Sequence, residues 1–215
     1  LPARPTLSPP AGSTAAFQIM NSSVSIFNID VRPAVSVAYG VLASSASVTI
    51  SSVNVDDPGG SIWTAGISLS SQNVLSYSSV TVQNAHGIYM AGSTMTAVSY
   101  STAQANGSTH YALYLDGASS NTFTVFLASN PSGYGARLYY SNGNTISLST
   151  MTSNASSYVA LILAQASSNT VTQSFISNPQ GTAALLQAAA NGNTISISTM
   201  TSNAAGKYAV YITIS

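Results

Sequence analysis

Few side chains in this 215-residue sequence could do chemistry. The acids are Asp30, Asp56, Asp57 and Asp116, the cations Arg4, Arg32, Arg137 and Lys207, and the histidines His86 and His110. The most suggestive grouping is Asn28-Ile29-Asp30, then Asp56-Asp57, then His86-Gly87, each about one repeat unit after the last. Two carboxylates held ~5–9.5 Å apart can hydrolyse a glycosidic bond, one as acid and one as base or nucleophile. Other chemistries are excluded by composition. Zero cysteines remove disulfides, thiolate metal sites and Cys nucleophiles. Four acids in total cannot supply both a calcium cluster and a catalyst, so neither a metal nor a cofactor is implied. A net charge of zero, with only 4% charged residues, argues against a nucleic-acid partner. The longest apolar run, residues 158–164, is far short of the ~20 residues of a membrane helix.

The elements that must position these residues are set by an internal repeat. Asn144-Thr-Ile-Ser-Leu-Ser-Thr-Met-Thr-Ser-Asn154 returns as Asn193-Thr-Ile-Ser-Ile-Ser-Thr-Met-Thr-Ser-Asn203, with divergent copies starting at Asn121 and Asn169. The intervals are 23, 25 and 24 residues. Taking the first apolar residue of each copy as anchor gives Val24, Val48, Leu75, Met95, Phe123, Ile146, Val171 and Ile195. A second register of small residues runs through Ala16, Gly40, Gly66, Gly87, Ala112, Ala136, Ala160, Ala184 and Ala209. Around both registers apolar residues alternate with polar ones, the period of a strand, and no segment shows a helical stripe.

A unit of about 24 residues with short strands cannot bury its apolar side chains alone. Stacked ~4.8 Å apart, such units pair each strand with its equivalents above and below. The sequence therefore predicts an all-β fold, a single-stranded parallel β-solenoid of eight to nine coils over residues 13–215. Residues 1–12, which carry Pro2, Pro5, Pro9 and Pro10, read as an N-terminal arm or linker. The repeat resembles the right-handed parallel β-helix of the pectin-lyase-like superfamily, in the generic form found in bacterial surface proteins, and the right hand is implied by that resemblance. The order Asp30, Asp56-Asp57, His86-Gly87 is similar to that of polygalacturonases, which carry Asn-Thr-Asp, Asp-Asp and Gly-His-Gly on successive coils. The departures are that these residues lie at different distances from their anchors, that Ala65-Gly66 stands where the Asp pair should, and that the basic Arg-x-Lys is absent.

Two surface features have bland readings beside sharper ones. The residues flanking the anchors, such as Thr122/Thr124, Thr145/Ser147 and Thr194/Ser196, form a hydroxyl face. It reads as a solvated strand surface and resembles the Thr-x-Thr face of β-helical antifreeze proteins, with Ser in place of Thr at several positions. Tyr39, His86, Tyr111 and Tyr208 precede the small column and predict a stack of flat rings, whereas Asn130, Asn154, Asn178 and Asn203 predict a ladder of hydrogen-bonded turns.

The sequence stops inside a strand, with Tyr208, Val210, Ile212 and Ile214 unpaired at one end and Ala16, Phe17 and Ile19 at the other. An uncovered terminal coil exposes strand hydrogen bonds. The expectation is a piece of a longer solenoid, or a subunit that stacks head to tail on itself. On this reading the protein is a non-enzymatic, extracellular or cell-surface structural element of a filament, stalk or adhesin. The alternatives are a carbohydrate-active β-helix using Asp30, Asp56, Asp57 and His86, or a module binding glycans or ice through the Ser/Thr face.

Overall fold

A computed structural model describes residues 4–213. Every strand pairing among these residues is parallel, and the described chain contains no helix. The strands form one sheet of 15 and one of nine. A typical coil gives one strand to the smaller sheet, such as Val159–Ala164, and two short strands to the larger, such as Thr170–Thr172 and Phe175–Ser177. Between those two short strands the chain turns a corner on a single residue in left-handed conformation, here Gln173 with φ 50°. This is the solenoid that the repeat predicts.

The core is a set of vertical columns. Ile50, Leu75, Val98, Phe123, Ile146 and Val171 stack on one another behind the first short strand, each almost fully buried. Val55, Val80, Ala103, Ala128, Met151 and Ile176 do the same behind the second. Facing them from the smaller sheet are Ile67, Ile88, Leu113, Ala136 and Leu161.

The hydrogen-bond register corrects three details of the sequence reading. Val24, Val48 and Met95 are not in the anchor column; Ile26, Ile50 and Val98 are. Val24 and Val48 instead occupy the place that later coils give to Asn, and Met95 is an exposed turn residue with φ 56°. Two apolar residues in i, i+2 spacing cannot say which of them is the equivalent one when the preceding turn varies in length. The small column runs through Gly135 and Ala183, one residue before Ala136 and Ala184. It must be small because it faces inward against the next coil: a Cβ on Gly40 would lie 2.6 Å from the Gly66 carbonyl oxygen and 2.7 Å from Val55.

The third correction concerns the amide ladder. Asn154 and Asn203 are exposed, and Ser153 stands between Asn130 and Asn178 in register. The continuous ladder is Asn121, Asn144, Asn169 and Asn193, whose side chains point inward at the start of the first short strand. Asn144 Oδ1 accepts from Asn121 N–H at 2.9 Å, and Asn144 Nδ2 donates to Ala118 O and to Asn169 Oδ1 at 2.9 and 3.0 Å. Each amide closes a turn and clamps the next coil, so its buried polar atoms are satisfied. Ser149, Ser174 and Ser198 form a second ladder, each accepting a backbone N–H from the coil before it at 3.1–3.2 Å.

The Pro-rich start is also engaged. Thr6–Leu7 pairs with Asp30–Val31, and Asp30 N–H donates to Pro5 O at 3.0 Å. At the other end Tyr208, Val210 and Ile212 are exposed, Ile19 of the first coil is buried, and Ala16 and Phe17 are half-buried. Ile214 lies outside the described residues.

Candidate functional site

The structure does not assemble the expected carboxylate pair. Asp30 and Asp56 lie on the second short strands of the larger sheet, where each meets an arginine: Arg4 at 3.6 Å from Asp30 and Arg32 at 3.4 Å from Asp56. Asp57 points inward and is buried. Its carboxylate accepts from Ser61 N–H at 2.7 Å and Ile62 N–H at 2.9 Å, so it staples the Asp-Asp-Pro-Gly-Gly turn. His86 is on the smaller sheet, paired with Ala65. One histidine and three aspartates adjacent in sequence order are thus divided between two faces, because the solenoid cross-section turns between them.

What the structure brings together is a cluster that the sequence left scattered. Tyr89, Tyr114 and Arg137 are register partners on three consecutive strands of the smaller sheet and point outward. Beside them runs the ring column His86, Tyr111 and Tyr134, with Tyr111 stacked on Tyr134 at 4.8 Å and on His86 at 5.4 Å. Tyr134 joins this column only in the corrected register. On the other side Asp116 pairs with Tyr139. Two consecutive inward residues, Ala112-Leu113 in one coil and Gly135-Ala136 in the next, interrupt the strict alternation of the strand, so Tyr-x-x-Tyr and Tyr-x-x-Arg put both outer residues on one face and build two columns at once.

Arg137 is the centre. Its guanidinium carbon is 4.4 Å from the Tyr139 ring centroid, 5.5 Å from that of Tyr111 and 5.7 Å from that of Tyr114. One terminal nitrogen donates to Tyr111 Oη at 2.9 Å. Among the described residues it has no carboxylate within ion-pair distance. A guanidinium presents a planar fork of donors suited to a carboxylate, and here three rings hold that fork while nothing neutralises it.

The neighbours are tuned to stay uncharged. Burial, with the nearby His110, lowers His86 to a pKa of about 4. Tyr111 N–H donates to His86 Nδ1 at 3.0 Å, so the neutral ring carries its proton on Nε2 and acts as a donor. His110 stands edge-on at 5.2 Å and is lowered by burial too, which leaves it a neutral acceptor at neutral pH. Tyr114 is pushed up to about 12 by burial and by the charge of Asp116, with Arg137 opposing, and remains a protonated donor. No group of three His, Cys, Asp or Glu suited to a metal occurs among the described residues.

The profile of the right handed beta helix region family matches residues 39–214. The chain belongs to that family. No curated protein matches this right-handed β-helix by sequence. Among solved structures it is similar to the enzymatically active domain of bacteriophage CBA120 tailspike protein 2, with a TM-score of 0.62 and 12% identity over 93% of this chain and 36% of that one. It is also similar to a periplasmic alginate epimerase, with a TM-score of 0.67 and 10% identity over 89% of this chain and 50% of that one. The β-helix thus spans between about one third and one half of the length of these structures. At such identities the likeness is one of fold.

The comparison corrects the expectation of a purely structural, non-enzymatic filament or stalk element. The solved β-helices that share this architecture include an enzymatically active domain and an epimerase. The uncovered coil end, on which that expectation rested, is common to any segment of a solenoid and carries no information about catalysis.

Arg137, Asp116, Tyr89, Tyr114 and Tyr139 were not singled out from the sequence as a site. Arg137 looked isolated because two of its three ring partners, Tyr114 and Tyr111, are 23 and 26 residues away along the chain. The one available signal was the recurrence of Tyr before the small column.

Proposed function

We propose that this β-helix is a carbohydrate-active protein whose substrate is a uronate-containing polysaccharide bound across the outer face of the smaller sheet. The observation that carries this reading is Arg137, an unneutralised guanidinium framed by Tyr111, Tyr114 and Tyr139. Such a frame suits an acidic sugar: rings stack on the apolar faces of pyranoses, and the cation takes the carboxylate.

The group set favours proton transfer at the sugar carbon next to that carboxylate over hydrolysis. Hydrolysis needs two carboxylates, and Asp116 is the one acid on this face while Asp30 and Asp56 are ion-paired elsewhere. Arg137 bound to the carboxylate would stabilise the enolate formed when the adjacent C–H gives up its proton. His110, neutral, accepts that proton. Tyr114, protonated, is the candidate donor that returns one to carbon, and return to the other face of the sugar ring inverts the centre. If instead the C4–O bond breaks, the 4-linked oxygen leaving with the bonding electrons and taking the Tyr114 proton, the product is an unsaturated sugar. The epimerase among the similar structures supports the first outcome.

The test is proton exchange. The protein is incubated with alginate and with polygalacturonate in deuterium oxide, and the H5 signals are followed by NMR. Deuterium at C5, or new unsaturated sugar signals, is the expected result. No exchange and no elimination on either polymer would sink the reading.

A further inference from the structure

A second surface on another side of the molecule has features that the proposed activity does not use. At the corner between the two short strands of each coil, the left-handed residue is Asn28 and Ser52 in early coils, but then Tyr77, Tyr100, Val125 and Leu148. Asn and Gly suit this conformation, and large or β-branched residues do not. Their φ values of 48–52° therefore hold backbone strain at four successive coils: Tyr77 at 49°, Tyr100 at 48°, Val125 at 52° and Leu148 at 51°. The strain is not repaid by burial, since these four side chains remain 41–63% exposed. Exposed strain of this kind points to function only where a second feature accompanies it.

The geometry of this ridge is that of a platform. The Tyr77 and Tyr100 rings stack at 5.0 Å with an interplanar angle of 4°, both exposed. Next to them a depression of about 330 Å³ runs along the corner. Tyr100, Val125 and Leu148 form one wall, Phe126 the floor, and Leu127 with the hydroxyl-bearing Thr102 and Thr150 the other wall. This size falls in the range of small-ligand sites. None of its lining side chains is charged.

We infer that this corner groove is a binding site for a neutral, extended oligosaccharide, separate from the Arg137 face. Its ridge offers the flat Tyr100 ring followed by the apolar Val125 and Leu148, and its rim offers hydroxyls, which is the chemistry of a sugar without charge. The ridge residues repeat with the coil spacing of ~4.8 Å, close to the length of one pyranose in an extended β-linked chain. One sugar can therefore meet one coil along Tyr100, Val125 and Leu148. A charged sugar would be desolvated here without a partner. The site stands or falls independently of the activity proposed for the smaller sheet.

The experiment is a calorimetric titration of the intact protein with cellohexaose, repeated on Tyr100→Asn and Arg137→Ala. Binding to the wild type, a drop of about tenfold or more in affinity for Tyr100→Asn, and no change for Arg137→Ala are expected. Asn relieves the strained corner, so Tyr100→Asn should unfold at a temperature no lower than the wild type. A folded Tyr100→Asn with undiminished binding overturns the inference, as does absence of binding to the wild type. Loss of binding in Arg137→Ala would place the sugar on the other face and overturn it too. Sedimentation of the free protein supplies a further check: self-association abolished by Tyr100→Asn would show that a second copy, and not a sugar, occupies the groove.

Discussion

The outer face of the smaller sheet and the strained corner of the larger one display large side chains from the same coils, yet they differ in kind. On the smaller sheet His86, Tyr111, Tyr114, Arg137 and Tyr139 sit on regular strands and touch sideways as well as vertically. Groups of different chemistry therefore tune one another, and the pKa values of His86 and Tyr114 move far from their ordinary values. On the corner Tyr77, Tyr100, Val125 and Leu148 form a single file with no charged neighbour in the groove. A single column repeats one contact and can at most bind; two adjacent columns of different chemistry can make a reactive site. Reactivity in a solenoid thus depends on lateral neighbours, which the vertical repeat does not supply by itself.

The largest break of this contrast should come from Arg137→Ala. It removes the cation on one face and leaves the other intact, so exchange at C5 of a polyuronate should fall about a hundredfold to a thousandfold. Unchanged exchange with a folded protein would show that the aromatic frame works without its cation.

Next in size is pH. His86 has a folded pKa of about 4, below its ordinary 6.5, so the unfolded chain binds the proton more tightly. Its contribution to stability is fully present above pH 6.5 and is lost as pH falls towards 4, in total ~3 kcal/mol by linkage. Urea unfolding at pH 7 and pH 4 should show a fall that is smaller in His86→Phe. Equal falls in both proteins would deny that the ring column is what holds the histidine neutral.

Asn144→Ala tests what both faces share. It leaves Asn121 N–H and Ala118 O without their buried partners and should cost about 2 kcal/mol in chemical denaturation. A change below measurement error would mean that water replaces the amide. Asp57→Ala removes two turn hydrogen bonds and should cost about 1 kcal/mol or slightly more, with C5 exchange unaffected. A large loss of exchange there would return Asp57 to the site.

The smallest effect sharpens the reading of the corner. Ile197 is β-branched, left-handed at φ 48° and 81% exposed. Ile197→Asn should stabilise the protein by about 1 kcal/mol, visible as a raised midpoint of thermal unfolding. A lowered midpoint would mean that the corner side chains pack and are not merely displayed.

The repeat, its length near 24 residues, the parallel stacking and the inward small column were all legible in the sequence. Strand alternation and burial of one face force those features on any chain with this spacing. The ring column was legible in part, from Tyr39, His86, Tyr111 and Tyr208, because a residue type recurring once per coil must stack. The turn ladder holds at Asn130 and Asn178, whose amides donate to carbonyls of the coil before, but not at the exposed Asn154 and Asn203, and the inward ladder through Asn121 and Asn144 went unseen, since Asn is common at both corners and only the hydrogen-bond register separates them. Sequence order also grouped Asp30, Asp56, Asp57 and His86, whereas the cross-section sends them to different sides. The sequence by itself therefore determined the coil and its stacking, which depend on positions one period apart. Only the tertiary structure decided which columns lie side by side, because that depends on where each turn bends the chain by a residue more or less. The Arg137 cluster exists through that lateral placement.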